Sequence, residues 1–222
     1  MTHTYVSLFN ENNLLNSMRI KKLKEGFDKL TKEKARLIAH LIGDGAHYRT
    51  KHNYVMKYEV KDEESLQQFN DDIIKVYGLK PSWLLNTSGI TGKPIKFIML
   101  RSKLAFEDLL NYATYFSDNW KLKSPIINAP LKIKKEFLRA LFDDEGSVRN
   151  KYTISLYSIN KKGLIQIKEM LKEFEIKSKF EEGFGSKRNV YALSIKDFGL
   201  FRDKIGFNLT RKQQKLESML KQ

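Results

Sequence analysis

The sequence predicts an α+β protein of two similar halves, each running α-β-β-α-β-β-α, and two observations lead there. Two short segments rhyme half a chain apart, and the hydrophobic patterning behind each rhymes as well. The segments are ARLIAHLIGDGA (35–46) and EFLRALFDDEGS (136–147). In each, an apolar helical stretch with a small residue leads into an acid and a glycine. Leu37, Ala39, Leu41, Gly43, Asp44 and Gly45 stand against Leu138, Ala140, Leu141, Asp144, Glu145 and Gly146. Asp44 and Glu145 are 101 positions apart in a chain of 222.

The elements follow in the same order twice. After the first segment, residues 54–60 alternate and read as a strand, and 63–76 carry the helical period. Residues 82–88 and 95–101 form a hairpin across the turn signals Gly89 and Gly92–Pro94, and a helix follows over 103–115. After the second segment, 152–158 alternate and 161–174 are helical. Residues 178–184 and 190–195 make a hairpin around Gly183 and Gly185, with helices from about Lys196 onward. The expected organisation is an N-terminal extension over 1–30, a first half over 31–116, a linker over 117–130 containing Pro125 and Pro130, and a second half over 131–222 ending in helices.

Composition narrows the function. With 41% hydrophobic and 30% charged residues the chain is neither disordered nor fibrous. It has no cysteine, which excludes a disulfide scaffold, thiolate metal sites and a cysteine nucleophile. The start of the sequence lacks the pattern of a secretory signal, and no run approaches the ~18 apolar residues needed to span a bilayer, so a cytoplasmic location is expected. Forty-one Lys and Arg against 26 Asp and Glu leave a net charge of +15, and nucleic acid is the leading class of partner. Residues 119–135 hold Lys121, Lys123, Lys132, Lys134 and Lys135 without an acid, and the C-terminus adds Arg211, Lys212, Lys215 and Lys221, which suggests a basic surface. The plain alternative is a lysine-rich soluble protein, and a motif must decide.

The acids provide it. Asp44 and Glu145 fall at helix C-termini, where the helix dipole repels carboxylates, just before Gly45 and Gly146, which suit left-handed caps. A local rule broken twice points to function. Two helix C-termini brought together with two carboxylates would make a negative pocket for a hard cation such as Mg²⁺. Ala39 and Gly43, four apart on one face, and Ala140 opposite would let the helix backbones approach closely. The other reading of these acids is ordinary solvated helix ends.

The segments IAHLIGDG (38–45) and LRALFDDEG (138–146) resemble the paired motifs of the single-chain LAGLIDADG homing endonucleases, in particular archaeal intron-encoded ones, and the likeness runs from about Thr31 to Lys215. The resemblance implies a monomer with internal pseudo-twofold symmetry: motif helices packed at the centre, and antiparallel sheets forming a saddle over double-stranded DNA. It implies that Asp44 and Glu145 are the metal-binding catalytic acids, with the carbonyls of Gly43 and Asp144 as further ligands. It also implies hydrolysis of both strands across a narrowed minor groove, leaving 3′ overhangs. Mg²⁺ is the implied cofactor, with Mn²⁺ substituting and Ca²⁺ supporting binding without cleavage. Lys61 matches the position of a family lysine, whereas the second half offers only Ser158 and Lys161. The sequence departs from the motif at His40, where an apolar residue is usual, and at Asp144, a position normally small.

Base readers are expected on the strand faces turned from the core: Lys57 and Glu59 in the first half, Thr153, Ser155 and Tyr157 in the second, with Lys96 as a further DNA contact. Arg49, Lys51, Arg149, Lys187 and Arg188 at hairpin tips are expected phosphate contacts. The halves differ at these positions, so the target should be non-palindromic. His47 and His52 lack further metal ligands, and the GFGS at 183–186 reads as a turn. Two other classes stay open: a maturase that binds intron RNA, and a non-cleaving DNA-binding regulator of the same fold.

Overall fold

Two helices that carry the repeated segments pack against each other at the centre, and a sheet with its own helices lies to either side. The structure, a computed structural model, describes residues 29–87, 92, 94–149, 153–183 and 189–221, so nearly all of the expected N-terminal extension lies outside the described residues.

Helix α1 (Lys32–Ile42) starts because the Thr31 hydroxyl accepts the Lys34 N–H at 3.2 Å, closing an otherwise orphaned helical donor. It runs into β1 (Gly45–Arg49) and β2 (Tyr54–Glu59), then α2 (Glu63–Tyr77), β3 (Ser82–Thr87), β4 (Pro94–Arg101) and α3 (Lys103–Leu110). The connection holds β5 (Ala113–Thr114), β6 (Lys121–Leu122) and α4 (Ser124–Ile127). The second half repeats the plan with α5 (Leu131–Glu145), β7 (Gly146–Arg149), β8 (Thr153–Ser158), α6 (Lys161–Lys172), β9 (Ser178–Glu182) and β10 (Tyr191–Ile195), and closes with α7 (Phe198–Lys204) and α8 (Thr210–Leu220). Both four-stranded sheets are antiparallel and share one order, β1-β2-β4-β3 and β7-β8-β10-β9, so the duplication read from the motifs extends to the topology.

Strand alternation fixes the faces. Met56, Tyr58, Ile98 and Leu100 in one sheet and Ile154, Leu156, Leu193 and Ile195 in the other are buried and join a single core with the motif helices. Tyr54 and Val60 pack on its margin, as the alternation predicts. In the first half a buried ammonium ties the layers together: Lys34 Nζ is 2.7 Å from Asp108 Oδ2, which also accepts the Tyr77 hydroxyl at 2.7 Å.

Two expectations change. The helix expected over 103–115 ends at Leu110, and Ala113 and Thr114 instead pair with Leu122 and Lys121. Nor is the connection a bare linker, because Trp120 and Leu122 are buried. Asn160 Nδ2 donates to the Trp120 carbonyl at 2.6 Å, and the Trp120 ring lies where a Cβ on Gly163 would come within 2.4 Å, which explains a glycine inside α6.

Candidate active site

Both acids sit where their helices stop. Helix α1 ends at Ile42, Gly43 closes it with its N–H on the Ala39 carbonyl, and Asp44 follows, whereas Glu145 is the last residue of α5. Gly45 and Gly146 are not left-handed caps as expected: neither has a positive φ, and Gly146 is extended at φ −85° and ψ 150°. Crowding explains them. A Cβ on Gly45 would lie 2.6 Å from the His40 carbonyl oxygen, and one on Gly146 2.4 Å from that of Phe142, so only glycine lets each strand turn back along its helix.

The neighbouring charges act on the ionisation of both acids. Burial first, then the Asp44 and Asp144 charges, push the Glu145 carboxyl up to about 7, and Lys212 opposes them. Burial and the Asp144 charge push Asp44 up to about 6, against Lys212 and His40. Asp44 is exposed at the surface, so water screens part of that repulsion. Acids on helices half a chain apart therefore repel one another across the pseudo-dyad.

The two departures from the motif turn out to be one exchange. His40 is fully buried, and its Nδ1 is 3.0 Å from Asp144 Oδ2, while the Tyr58 hydroxyl donates to Asp144 Oδ1 at 2.6 Å. The His40 ring leans on Tyr58 and Phe69 at centroid distances of 4.7 and 6.0 Å. Burial opposes protonation of His40, but the Asp144 charge prevails and its pKa is raised. A carboxylate fits in the helix seam because Gly43 has no side chain, a Cβ there lying 2.8 Å from Asp144 Cβ. Further back along the seam, Arg36 donates to Asp72 at 2.8 and 2.6 Å and to Glu136 of α5 at 2.7 Å. Gly43→Ala should force the helix ends apart and destabilise the protein by about 1–3 kcal/mol, a loss visible as a lower urea midpoint with unchanged slope.

The roles of Asp143, Thr210, Arg211 and Lys212 are not legible in the sequence. Asp143 is buried and accepts the backbone N–H groups of Asn208 and Leu209 at 3.1 and 3.2 Å, and the same burial pushes its carboxyl up to about 6. Arg211 grips Asp62 at 2.9 and 2.6 Å, and Thr210 donates to Glu64 at 2.9 Å. Lys212, read as basic surface, is buried and donates to three carbonyls at the end of α5. Residues 208–212 thus strap the second motif helix to the first half. The one available signal is that Arg211 and Lys212 open an amphipathic helix, where a cation faces the positive pole of its own dipole.

The expected DNA-contacting residues divide. Lys57 and Glu59 share the outer face of β2, but they pair with each other at 2.5 Å, with Lys57 over the Phe97 ring. Lys96 is on the opposite face of β4 from Phe97, on the side of Lys96's own ion pair with Glu63 of α2, which corrects its placement toward DNA. Arg49 and Lys51 are exposed at the β1–β2 turn, and Arg49 lies over Tyr54. In the second half Arg149, Thr153 and Ser155 line an open trough of about 1530 Å³ with Lys177, Lys179 and Lys196. Ser155 is only 1% exposed, so it forms the floor and is corrected as a base reader. Half-buried Tyr157 sits under Arg149 and lines a 290 Å³ cavity beside Glu145, together with Gly43, Ser117 and Ser158. Lys187 and Arg188 lie outside the described residues. Lys61 is exposed at the bend after β2, and the cation acting on both acids is Lys212. His47 is a packed ring, stacked on Phe106 at 3.7 Å, and burial pushes its pKa down to about 4.

The donor set suits a hard cation. Among the described residues no three His, Cys, Asp or Glu side chains form a metal cage. Two carboxylates with raised pKa values at paired helix C-termini offer oxygen alone, as Mg²⁺ prefers when water and phosphate complete its shell. Asp144 could add its carbonyl only, since His40 and Tyr58 occupy its carboxylate.

Residues 132–206 match the LAGLIDADG-like domain family. A comparison with curated proteins finds no match. Among solved structures, I-DmoI in complex with DNA and Mn is 16% identical, with a TM-score of 0.61 over 80% of this chain and 97% of that one. The homing endonuclease I-WcaI bound to its DNA recognition sequence is 17% identical, with a TM-score of 0.63 over 89% of this chain and 91% of that one. Full-length DUF199/WhiA from Thermatoga maritima is 16% identical, with a TM-score of 0.59 over 90% of this chain and 65% of that one. A variant of I-DmoI has also been solved with its target DNA in the presence of Mg, and I-DmoI with DNA and Ca. The chain therefore has the two-motif LAGLIDADG fold, and the likeness seen in its paired segments extends along most of its length. No helix among the described residues is long and apolar enough to cross a membrane.

Proposed function

We propose that this protein is a site-specific DNA endonuclease of the homing type, which acts as a monomer on a long, non-palindromic duplex and cuts both strands with 3′ overhangs. What supports this reading is that the two motif helices end against each other, with Gly43 packed on the Asp144 side chain and Gly43 and Glu145 lining one cavity, so that Asp44 and Glu145 stand beside one contact, each with its pKa raised. The DNA named for I-DmoI and I-WcaI, and the divalent metals named for I-DmoI, support it.

In this reading Asp44 and Glu145 hold the divalent ions, with the carbonyls of Gly43 and Asp144 beside them. A bound Mg²⁺ would polarise the scissile phosphate, lower the pKa of attacking water and neutralise the leaving oxygen. The chain's own part is geometric. His40 and Tyr58 fix Asp144 and so orient the end of α5, Gly43 lets the helix ends close, and one acid from each half gives one site per strand. Arg149 and the trough lysines would hold phosphates, and Lys57, Glu59, Thr153 and Tyr157 would face the bases. Lys61 remains a proposed helper of the first acid from its exposed bend.

The test is incubation with a randomised duplex library and Mg²⁺, followed by sequencing of the cut ends. The expected result is one long asymmetric site with 3′ extensions. Selective capture of folded RNA without any cutting would favour a maturase instead, and tight duplex binding without cutting a regulator.

Acid ionisation sets opposite pH trends with and without metal. A cation needs the charged carboxylates, so Ca²⁺ binding should strengthen as pH rises through about 6 to 7 and then level off. Without metal, both carboxyls have higher pKa values folded than unfolded, so ionising them costs more in the fold. The metal-free protein should therefore lose stability as pH rises from about 4 through about 7, measured as melting temperature in chelator.

A further inference from the structure

Lys212 stands in the first turn of α8, 8% exposed, where an ordinary lysine would be solvated. Its Nζ donates to the carbonyls of Phe142 at 3.1 Å, Asp143 at 2.5 Å and Gly146 at 2.5 Å, which together form the negative pole of the helix that delivers Glu145. Its charge reaches both Asp44 and Glu145 and opposes the repulsion between them. Its burial and its three carbonyl acceptors hold the ammonium in place, while Asp143 and the Arg211–Asp62 pair anchor the residues just before it. In the first half α3 is followed by the short strand β5 and not by a second helix like α8, which carries Lys212.

We propose that Lys212 is a resident counter-cation of the metal centre, which competes electrostatically with divalent ions and holds down their affinity for the DNA-free protein. The proposal rests on the reading of Asp44 and Glu145 as metal ligands. A fixed ammonium makes the two carboxylates tolerable without metal, and it repels an incoming dication across a site screened only in part by water. The phosphates of a bound duplex restore the missing negative charge, so ion loading is coupled to DNA binding, and by linkage DNA binding is strengthened by the ion.

The test is calorimetric Ca²⁺ binding to the DNA-free protein. Lys212→Gln keeps an N–H donor for the carbonyls and loses the charge, Lys212→Met loses both, and Lys212→Arg keeps both. The Gln and Met variants should bind Ca²⁺ about tenfold more tightly than wild type, with the Arg variant within about threefold of it. Wild-type or weaker affinity in Lys212→Gln overturns the proposal and leaves Lys212 as a helix clamp. If Lys212→Gln unfolds without metal, the Ca²⁺ concentration that refolds it is read instead: below the wild-type dissociation constant supports the proposal, above it refutes it. Asp44→Asn and Glu145→Gln separate the two claims. If both bind Ca²⁺ like wild type, the metal reading itself fails. If both lose the ion while Lys212→Gln binds as wild type does, only the role of Lys212 fails.

Discussion

Asp44→Asn and Glu145→Gln should each reduce double-strand cleavage by about 10²–10⁴-fold, the rate equivalent of losing several kcal/mol of charge stabilisation. Duplex binding should survive, because the outer strand faces and the trough lysines are untouched. Misfolding would not explain the loss. Both replacements keep shape, neither acid makes a hydrogen bond that braces the helix pair as Asp144 does, and removing a charge that the fold already disfavours should stabilise the metal-free protein at neutral pH. A strand-resolved gel would show whether each substitution silences one strand first. Undiminished cutting by both variants would refute the assignment.

The second large effect belongs to the seam between the motif helices. His40→Leu leaves the Asp144 carboxylate buried with one partner gone, and Asp144→Ala strands His40 and the Tyr58 hydroxyl. Each change should cost about 3–5 kcal/mol, as is usual when half of a buried polar pair is removed. The double variant restores an apolar residue at 40 and a small one at 144, so it should lose about 2–3 kcal/mol less than the two single variants together. Urea unfolding of the four proteins measures the cycle, and additive losses would mean that the two residues do not act as a pair.

This pair also marks the limit of what the sequence discloses. The repeated helix-acid-glycine segments and the alternation behind them were enough to place Asp44 and Glu145 at helix ends and to give both sheets, because periodicity is a local property. His40 and Asp144 read singly as two anomalies. Their compensation crosses 104 positions of chain, and only the packed helices bring them together. Gly45 and Gly146 were found for a reason that did not hold, since a glycine required by crowding looks the same in sequence as one required by a left-handed turn. Lys212 was hidden for a similar reason. A lysine in a basic helix counts as surface until the carbonyls of another helix appear beside its ammonium. The helix expected to run to 115 shows the same limit, as Thr114 takes its partner from Lys121 across a turn.

The convergence of Asp44 and Glu145 on shared divalent ions is open to one direct observation. Crystals of the protein grown with Mn²⁺ and duplex DNA should show anomalous density bound by carboxylate oxygens of both residues, at oxygen-ligand distances of about 2.0–2.6 Å. Anomalous density only at other residues, or carboxylates too far apart to share an ion, would contradict the account.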